Sequence, residues 1–199
     1  MTPRTLNALF EDMQLHRLER CCLENTGLMF SCYLSSEDLR AAAKVLLEQE
    51  FHLEDISMLE VLEGCLVVYH FDHFEQPGRI ALRVIVDYET AAIPTISDIY
   101  PGASWHEREC RDFFGVVFTG HENMSPLLLS EEDAALHPLQ KEVRCLQSLV
   151  EIAQPGEVLS QCKNFSLFAS FSTIAEVGEI VPDQSQAHAM ANKKSRGEQ

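Results

Sequence analysis

Apolar residues recur along this chain with two periods, and the switches between them mark out its elements. Leu6, Leu9, Phe10, Met13 and Leu18 follow one another at close to helical spacing with charged residues between them, which predicts an amphipathic helix from Thr5 to about Cys22. Gly27 and the run Leu28-Met29-Phe30-Ser31-Cys32-Tyr33-Leu34 predict a first strand. Ser35 and Asp38 then stand in capping-box spacing, and Leu39, Ala42, Ala43, Leu46 and Leu47 form a helical stripe up to about Glu50. Ile56 to Leu62 and Cys65 to Phe71 are β-rich runs separated by Glu63-Gly64, the pattern of a hairpin. A further strand, Ile80 to Tyr88, follows Pro77-Gly78. Helix, strand, helix and three strands predict an α+β fold: a mostly antiparallel sheet of about four strands with helices packed on it.

After Tyr88 the pattern changes. Pro94 is expected to end the sheet region, Thr95 and Asp98 have the spacing of a cap on a short turn of helix, and Pro101-Gly102 breaks that turn. Ser104 then reads as the N-cap of a helix of about ten residues, with Glu107 placed to reach back to it and Gly115 closing the far end. Beyond this signature helix lies an extended C-terminal segment. Leu146 to Ala153 suggest a helix and Phe165 to Phe171 a strand, while 182–199 is polar, poor in aromatics and expected to be disordered. The domain reading is therefore one folded unit over 1–143, a C-terminal extension over 144–181 and a tail over 182–199.

Charge narrows the function. Fifteen Lys+Arg against 31 Asp+Glu give a net charge of −16, and the only basic run is Lys193-Lys194-Ser195-Arg196. Nucleic acid and an anionic membrane surface would both be repelled. Seven cysteines form no C-x-x-C pair, so the sequence predicts reduced thiols in a cytoplasmic setting and no metal or cluster held by this chain. No apolar run approaches the roughly 20 residues of a membrane-spanning helix.

The segment that stands out is "SWHERECRDFFG", Ser104 to Gly115, where Glu107, Arg108, Glu109, Arg111 and Asp112 sit against Trp105, Phe113 and Phe114. Glu107 with Arg111 and Arg108 with Asp112 are i,i+4 pairs, so one reading is a surface helix neutralising its own charges, each pair contributing about 0.3–0.5 kcal/mol. Trp105, Glu109, Asp112 and Val116 share a face that mixes carboxylates with apolar side chains, and such a face calls for a cationic partner. A second reading is paired-carboxylate acid/base chemistry, which needs two carboxyls across a cleft rather than on one short helix. The third is an interface element locked by ion pairs.

The run "IPTISDIYPGASWHERECRDFFGVVFTGH", Ile93 to His121, resembles the signature region of the thirty-kilodalton subunit of respiratory complex I, the NADH:quinone oxidoreductase. The likeness rests on Glu107-Arg108-Glu109, on Asp112-Phe113-Phe114, on the six-residue gap to His121, and on "HPLQKE" from His137 through Pro138 and Lys141 to Glu142. It covers roughly residues 25–142. The resemblance implies a member of an oxidoreductase complex with no active site or cofactor of its own. Such a protein packs on a large catalytic subunit that carries the quinone site, or the nickel–iron centre in related energy-converting hydrogenases, beside iron–sulfur subunits. It further implies that Glu107, Arg108, Glu109 and Asp112 belong to an inter-subunit or intradomain ion-pair network, and His121, His137, Pro138 and Lys141 to anchoring loops. Its expected location is cytoplasmic, at the inner face of the cell membrane through the complex. Ser125-Pro126 stands where the family has a basic pair and Gln140 where it has an Arg, departures that favour the hydrogenase-type version. A different class, a free-standing adaptor or regulatory domain reusing the fold, stays open.

Overall fold

The computed structural model describes residues 10, 13, 15–75, 78–152 and 157–161. Within them the chain runs β1 (Leu15–Arg20), α1 (Leu23–Thr26), β2 (Phe30–Leu34), α2 (Leu39–Glu48), β3 (Phe51–Val61), β4 (Gly64–His73), β5 (Ile80–Val86), β6 (Ala92–Pro94), α3 (Ala103–Phe114), β7 (Val117–Thr119), a 3₁₀ turn (Val143–Cys145), α4 (Leu149–Ile152) and β8 (Glu157–Gln161). Six strands form one sheet in the order β3-β4-β5-β2-β1-β8. Every neighbouring pair is antiparallel except β2 with β5. The α+β class and the mostly antiparallel sheet match the expectation from sequence. The strand number does not: β1 and β8 extend the four expected strands to six.

The first helix is the larger correction. Leu15 to Arg20 is a strand laid between β2 and β8, with Leu18 opposite Cys32 on one side and Ser160 on the other. Its pattern has two valid readings, because Leu18 buried with Arg17 and Glu19 turned the other way is also the period-2 alternation of a strand. Pairing with β2 decides the matter: Leu18 is fully buried, and Arg17 and Glu19 form an ion pair. The Phe165–Phe171 strand and the 182–199 tail lie outside the described residues.

The hairpin forms, with its turn one residue earlier than the expected Glu63-Gly64. Val61 pairs with Gly64 across a two-residue turn, Leu62-Glu63. Gly64 has φ 149°, and a Cβ there would stand 2.4 Å from the Val86 carbonyl oxygen, so the turn admits only glycine. The partner strand β3 starts at Phe51, five residues ahead of its expected start. Alternation along β4 sends Val67, Tyr69 and Phe71 into the main core and Leu66 and Val68 into a smaller cluster on the other face, where Leu149 of α4 joins them. Leu39, Ala42, Ala43 and Leu46 of α2 cover the main core, while Leu47 is half exposed. The Ser35–Asp38 contact does form, with the Ser35 hydroxyl 2.9 Å from the Asp38 carboxylate, but on the turn just before α2.

Pro94 ends a short strand of a second sheet rather than the sheet region: β6 pairs in parallel with β7. This small sheet brackets α3, which begins nine residues after β6 and ends three residues before β7.

Candidate functional site

α3 is held between two layers. Ala103, Glu107 and Cys110, at i, i+4 and i+7, face the sheet, and the Cys110 thiol points at the Ile56 carbonyl of β3 at 3.7 Å. Asp112 is also buried, although it lies on the opposite side of the helix. What buries it is the chain after β7, which returns across α3.

The expected helix cap is not the one that forms. The helix starts at Ala103 with Gly102 as N-cap and no side-chain cap, so Ser104 is already inside it. Glu107 reaches past the helix start to the loop after β6, accepting the Ile96 N–H at 2.8 Å and the Thr95 hydroxyl. Its side chain is 0% exposed. Burial raises its carboxyl to about 7, against the opposing pull of those two donors. The Thr95–Asp98 cap is likewise replaced: Thr95 binds Glu107, and Asp98 takes both guanidinium nitrogens of Arg40 at 2.7 Å. The His121 ring is buried beside this carboxyl, with Nε2 3.9 Å from it. His121 Nδ1 accepts the Asn123 N–H at 3.0 Å, which leaves the proton on Nε2, aimed at the Ser104 carbonyl at 3.3 Å. Ser104, Thr95 and His121 are among the residues that line a cleft of about 580 Å³.

Neither expected i,i+4 ion pair is what holds these charges. Arg108 donates from Nε to the Ser125 carbonyl at 3.0 Å and from Nη2 to the Pro126 carbonyl at 2.9 Å. Asp112 Oδ2 accepts three consecutive backbone N–H groups, from Leu127 (2.7 Å), Leu128 (2.9 Å) and Leu129 (3.3 Å), and Arg111 stands 3.4 Å from its other oxygen. Burial works to raise the Asp112 carboxyl, yet the three N–H donors hold it below the usual carboxylate range. Backbone outcompetes the neighbouring side chain because an exposed helical pair gives a few tenths of a kcal/mol, whereas a charge-assisted hydrogen bond gives about 1.5–3. The shared face expected for Trp105, Glu109, Asp112 and Val116 is divided: Trp105 and Glu109 are exposed, Asp112 and Val116 buried.

The far end of α3 is capped by the His137–Lys141 stretch. Gly115 takes the left-handed conformation at φ 78° and returns its N–H to Arg111, as the sequence predicts. The last three helical carbonyls each receive a donor: Asp112 from His137 Nδ1 at 3.0 Å, Phe113 from the Leu139 N–H at 3.2 Å, and Phe114 from the Gln140 side chain at 2.9 Å. The Lys141 N–H then binds the Glu60 carboxylate, tying the stretch to β3, while Pro138 and the rest of Lys141 are exposed. Sequence reasoning misses Thr95 as a ligand of Glu107, Glu60 and the capping role of Gln140. Glu60 is the single acid of the expected strand Ile56 to Leu62, and that is the available signal for it.

Chemically this is a clamp. Glu107, Arg108, Asp112, His121 and His137 all bind the chain's own backbone or hydroxyls. Among the described residues no three His, Cys, Asp or Glu side chains gather as metal ligands. Cys65 and Cys110 are free thiols that burial pushes up to about 12, far from the reactive thiolate range. No described helix is long and apolar enough to cross a membrane.

Residues 32–148 match the family model of the respiratory-chain NADH dehydrogenase 30 Kd subunit. An NADH-quinone oxidoreductase subunit of Roseiflexus sp. (strain RS-1) is 44% identical over 77 residues, 39% of this chain and 44% of that protein. The matched stretch is thus less than half the length of this curated relative. Among solved structures, a trypsin-resistant fragment of Nqo5 superposes with a TM-score of 0.52 at 26% identity, over 60% of this chain and 96% of the fragment. A chain of the membrane-bound sulfane sulfur reductase, an archaeal respiratory membrane complex, superposes with a TM-score of 0.58 over 92% of this chain and 96% of that one. At 21% identity this second likeness speaks for the fold alone.

Proposed function

The chain belongs to the 30 Kd subunit family of the respiratory-chain NADH dehydrogenase, and from that premise we propose that it is a non-catalytic peripheral-arm subunit of a complex I-like redox assembly. In this role it holds a large catalytic subunit and neighbouring iron–sulfur subunits in register, so that electron-transfer distances stay fixed. Its partners carry the cofactors: iron–sulfur clusters, with a quinone site or a nickel–iron centre in the large subunit. The chain reaches the inner face of the cell membrane through those partners, from the cytoplasmic side.

The observation that carries this reading is the use made of the signature helix. Its buried carboxylates and half-buried Arg108 are directed at backbone amides and carbonyls, an arrangement that fixes loop geometry and leaves little for acid/base or metal chemistry. Glu107, Arg108, Asp112, His121 and His137 form the intradomain part of the network. Glu109, Pro138 and Lys141, being exposed, form the part available to partners.

Mild affinity purification of the tagged chain from its native cell, with mass spectrometry of what accompanies it, tests the proposal. Recovery of a large quinone-site or nickel–iron subunit together with iron–sulfur subunits is expected, and the identity of that large partner decides between the two versions. Recovery of the chain alone, from a lysate in which such a complex is intact, overturns the reading in favour of a free-standing adaptor.

A further inference from the structure

Eight large hydrophobic side chains are exposed among the described residues, and five of them fall between residues 105 and 139. Scattered singly, such residues need no explanation, but Trp105 and Asp112, seven residues apart, share one side of α3, and the Leu128 N–H is bound to Asp112, which brings Trp105 and Leu128 to the same side. Trp105 on α3 is 66% exposed, and Leu128, Leu136 and Leu139 on the chain that returns across α3 and caps its end are 60%, 67% and 52% exposed.

These side chains are held out rather than left loose. Leu128 sits between two amides bound to the same Asp112 oxygen, and its own N–H is bound there too. Arg108, one turn along the helix from both Trp105 and Asp112, grips Ser125 and Pro126. Leu139 is fixed by its N–H on Phe113. Apolar groups already ordered before binding lose little conformational entropy when they dock.

We propose that this side of α3 and its covering chain is a docking face for a protein surface that offers an apolar recess bordered by lysine or arginine. The surroundings set the sign of the partner. Glu109 lies one turn from Trp105, and Glu131, Glu132 and Asp133 separate Leu128 from Leu136, all of them exposed. Between Val117 and Cys145 the chain carries five acids, Glu122, Glu131, Glu132, Asp133 and Glu142, against two cations, Lys141 and Arg144, the second of which pairs with Glu142. A second copy would set this acidic border against itself, and a nucleic acid or an anionic bilayer would be repelled. The exposed tryptophan gives such a face its anchor.

This inference rests on the chain being a subunit of a larger assembly, and its test separates the two. Full-length tagged wild type, Trp105→Ala, Leu128→Asp and, as a control on α1, Leu23→Asp are each expressed in the native cell, and co-recovered partner subunits are quantified per tagged chain. Trp105→Ala and Leu128→Asp are expected to lower recovery at least tenfold at unchanged thermal melting of the purified chains. Leu23→Asp should match wild type, and wild-type recovery should fall as salt is raised. Full recovery with both variants, while wild type brings down its partners, overturns the docking face and leaves the subunit reading intact. A wild-type chain that recovers nothing from a cell holding the assembly overturns both. Should either substitution unfold the chain, a photoreactive side chain carried at position 128 decides: an adduct on a Lys/Arg-bearing segment of a partner subunit supports the proposal, and an adduct on another copy of this chain alone, or none, overturns it.

Discussion

Replacing Asp112 by Ala distinguishes a loop clamp from a helix that merely pairs its own charges. If the carboxylate served Arg108 or Arg111 on an exposed helix, its loss would cost about 0.3–0.5 kcal/mol, the scale of surface helical pairs. The structure instead gives one oxygen three backbone donors within 3.3 Å, in a side chain with 0% exposure. Hydrogen bonds to a charged acceptor contribute about 1.5–3 kcal/mol each, but the returning chain is partly exposed and its freed amides regain water, so we expect a net loss of roughly 2–4 kcal/mol. Urea unfolding at neutral pH, followed by circular dichroism, measures it. The pH dependence adds a second mark. Because the folded-state pKa of Asp112 lies below the ordinary value, its contribution is present above the unfolded pKa, about 3.9, and is lost as pH falls through the depressed folded value. Wild type and variant should therefore converge in acid. Asp112→Asn keeps one acceptor oxygen without the charge and should fall between them. A midpoint shift worth less than about 0.5 kcal/mol at pH 7 would return the helix to simple surface pairing.

The Glu107 carboxyl shows the opposite sign: its folded-state pKa is raised to about 7, so the stability tied to its protonated form is complete below about 4.5 and lost as pH rises through 7. Glu107→Gln should flatten that loss, which amounts to about 3 kcal/mol for a rise of this size; thermal melts between pH 5 and 8 give the slope, and an unchanged slope removes Glu107 as its source. Gly115→Ala puts a Cβ 3.0 Å from the His137 ring at a residue with φ 78°; a loss of about 1–2 kcal/mol in urea unfolding is expected, and faster amide exchange at Leu139 should accompany it. Asp98→Ala removes the bidentate, half-exposed pair with Arg40 and leaves the Arg40 bond to the Thr95 carbonyl in place; it should cost under about 1 kcal/mol by the same assay, a larger loss meaning that the pair is not surface-screened.

How much of this is legible in the sequence depends on how local the cause is. The β3–β4 hairpin, α2 and the far end of α3 follow from adjacent residues: a two-residue turn before Gly64, a stripe of Leu and Ala, and Gly115 in a left-handed cap. The start of α3 is not legible in this way, because Ser104 and Glu107 have the spacing of a capping box, whereas Glu107 finds a hydroxyl and an amide supplied by the loop after β6. Spacing within one helix carries no information about such donors. β1 escapes for the same reason. Its six residues fit either period, and the strands that settle it lie on both sides in space and far apart in sequence. The identities of the charged site residues are visible, but their partners are not, since a backbone N–H has no sequence signature.

The use of backbone as the partner also bears on why so charged a helix is kept so deep in the fold. From Gly120 to Glu142 the chain has no regular secondary structure, and loops of that length in folded domains usually have a function. Without a ladder of its own, such a stretch must have its amides and carbonyls met from outside. Arg108 supplies donors to two of its carbonyls, Asp112 an acceptor to three of its amides, and the end of α3 supplies carbonyls to His137, Leu139 and Gln140. Arg108 and Asp112, opposite in charge and one turn apart, meet a stretch that offers carbonyls at Ser125 and Pro126 and then amides at Leu127 to Leu129. An apolar helix face would bury the same area and leave those groups unsatisfied, whereas ionised side chains at fixed spacing select one path for the chain. On the proposed scaffolding role, a single fixed path across α3 is the product that matters. Arg108 and Asp112 spend their charge on that path, while Trp105 on the helix and Leu128 on the crossing stretch stay exposed.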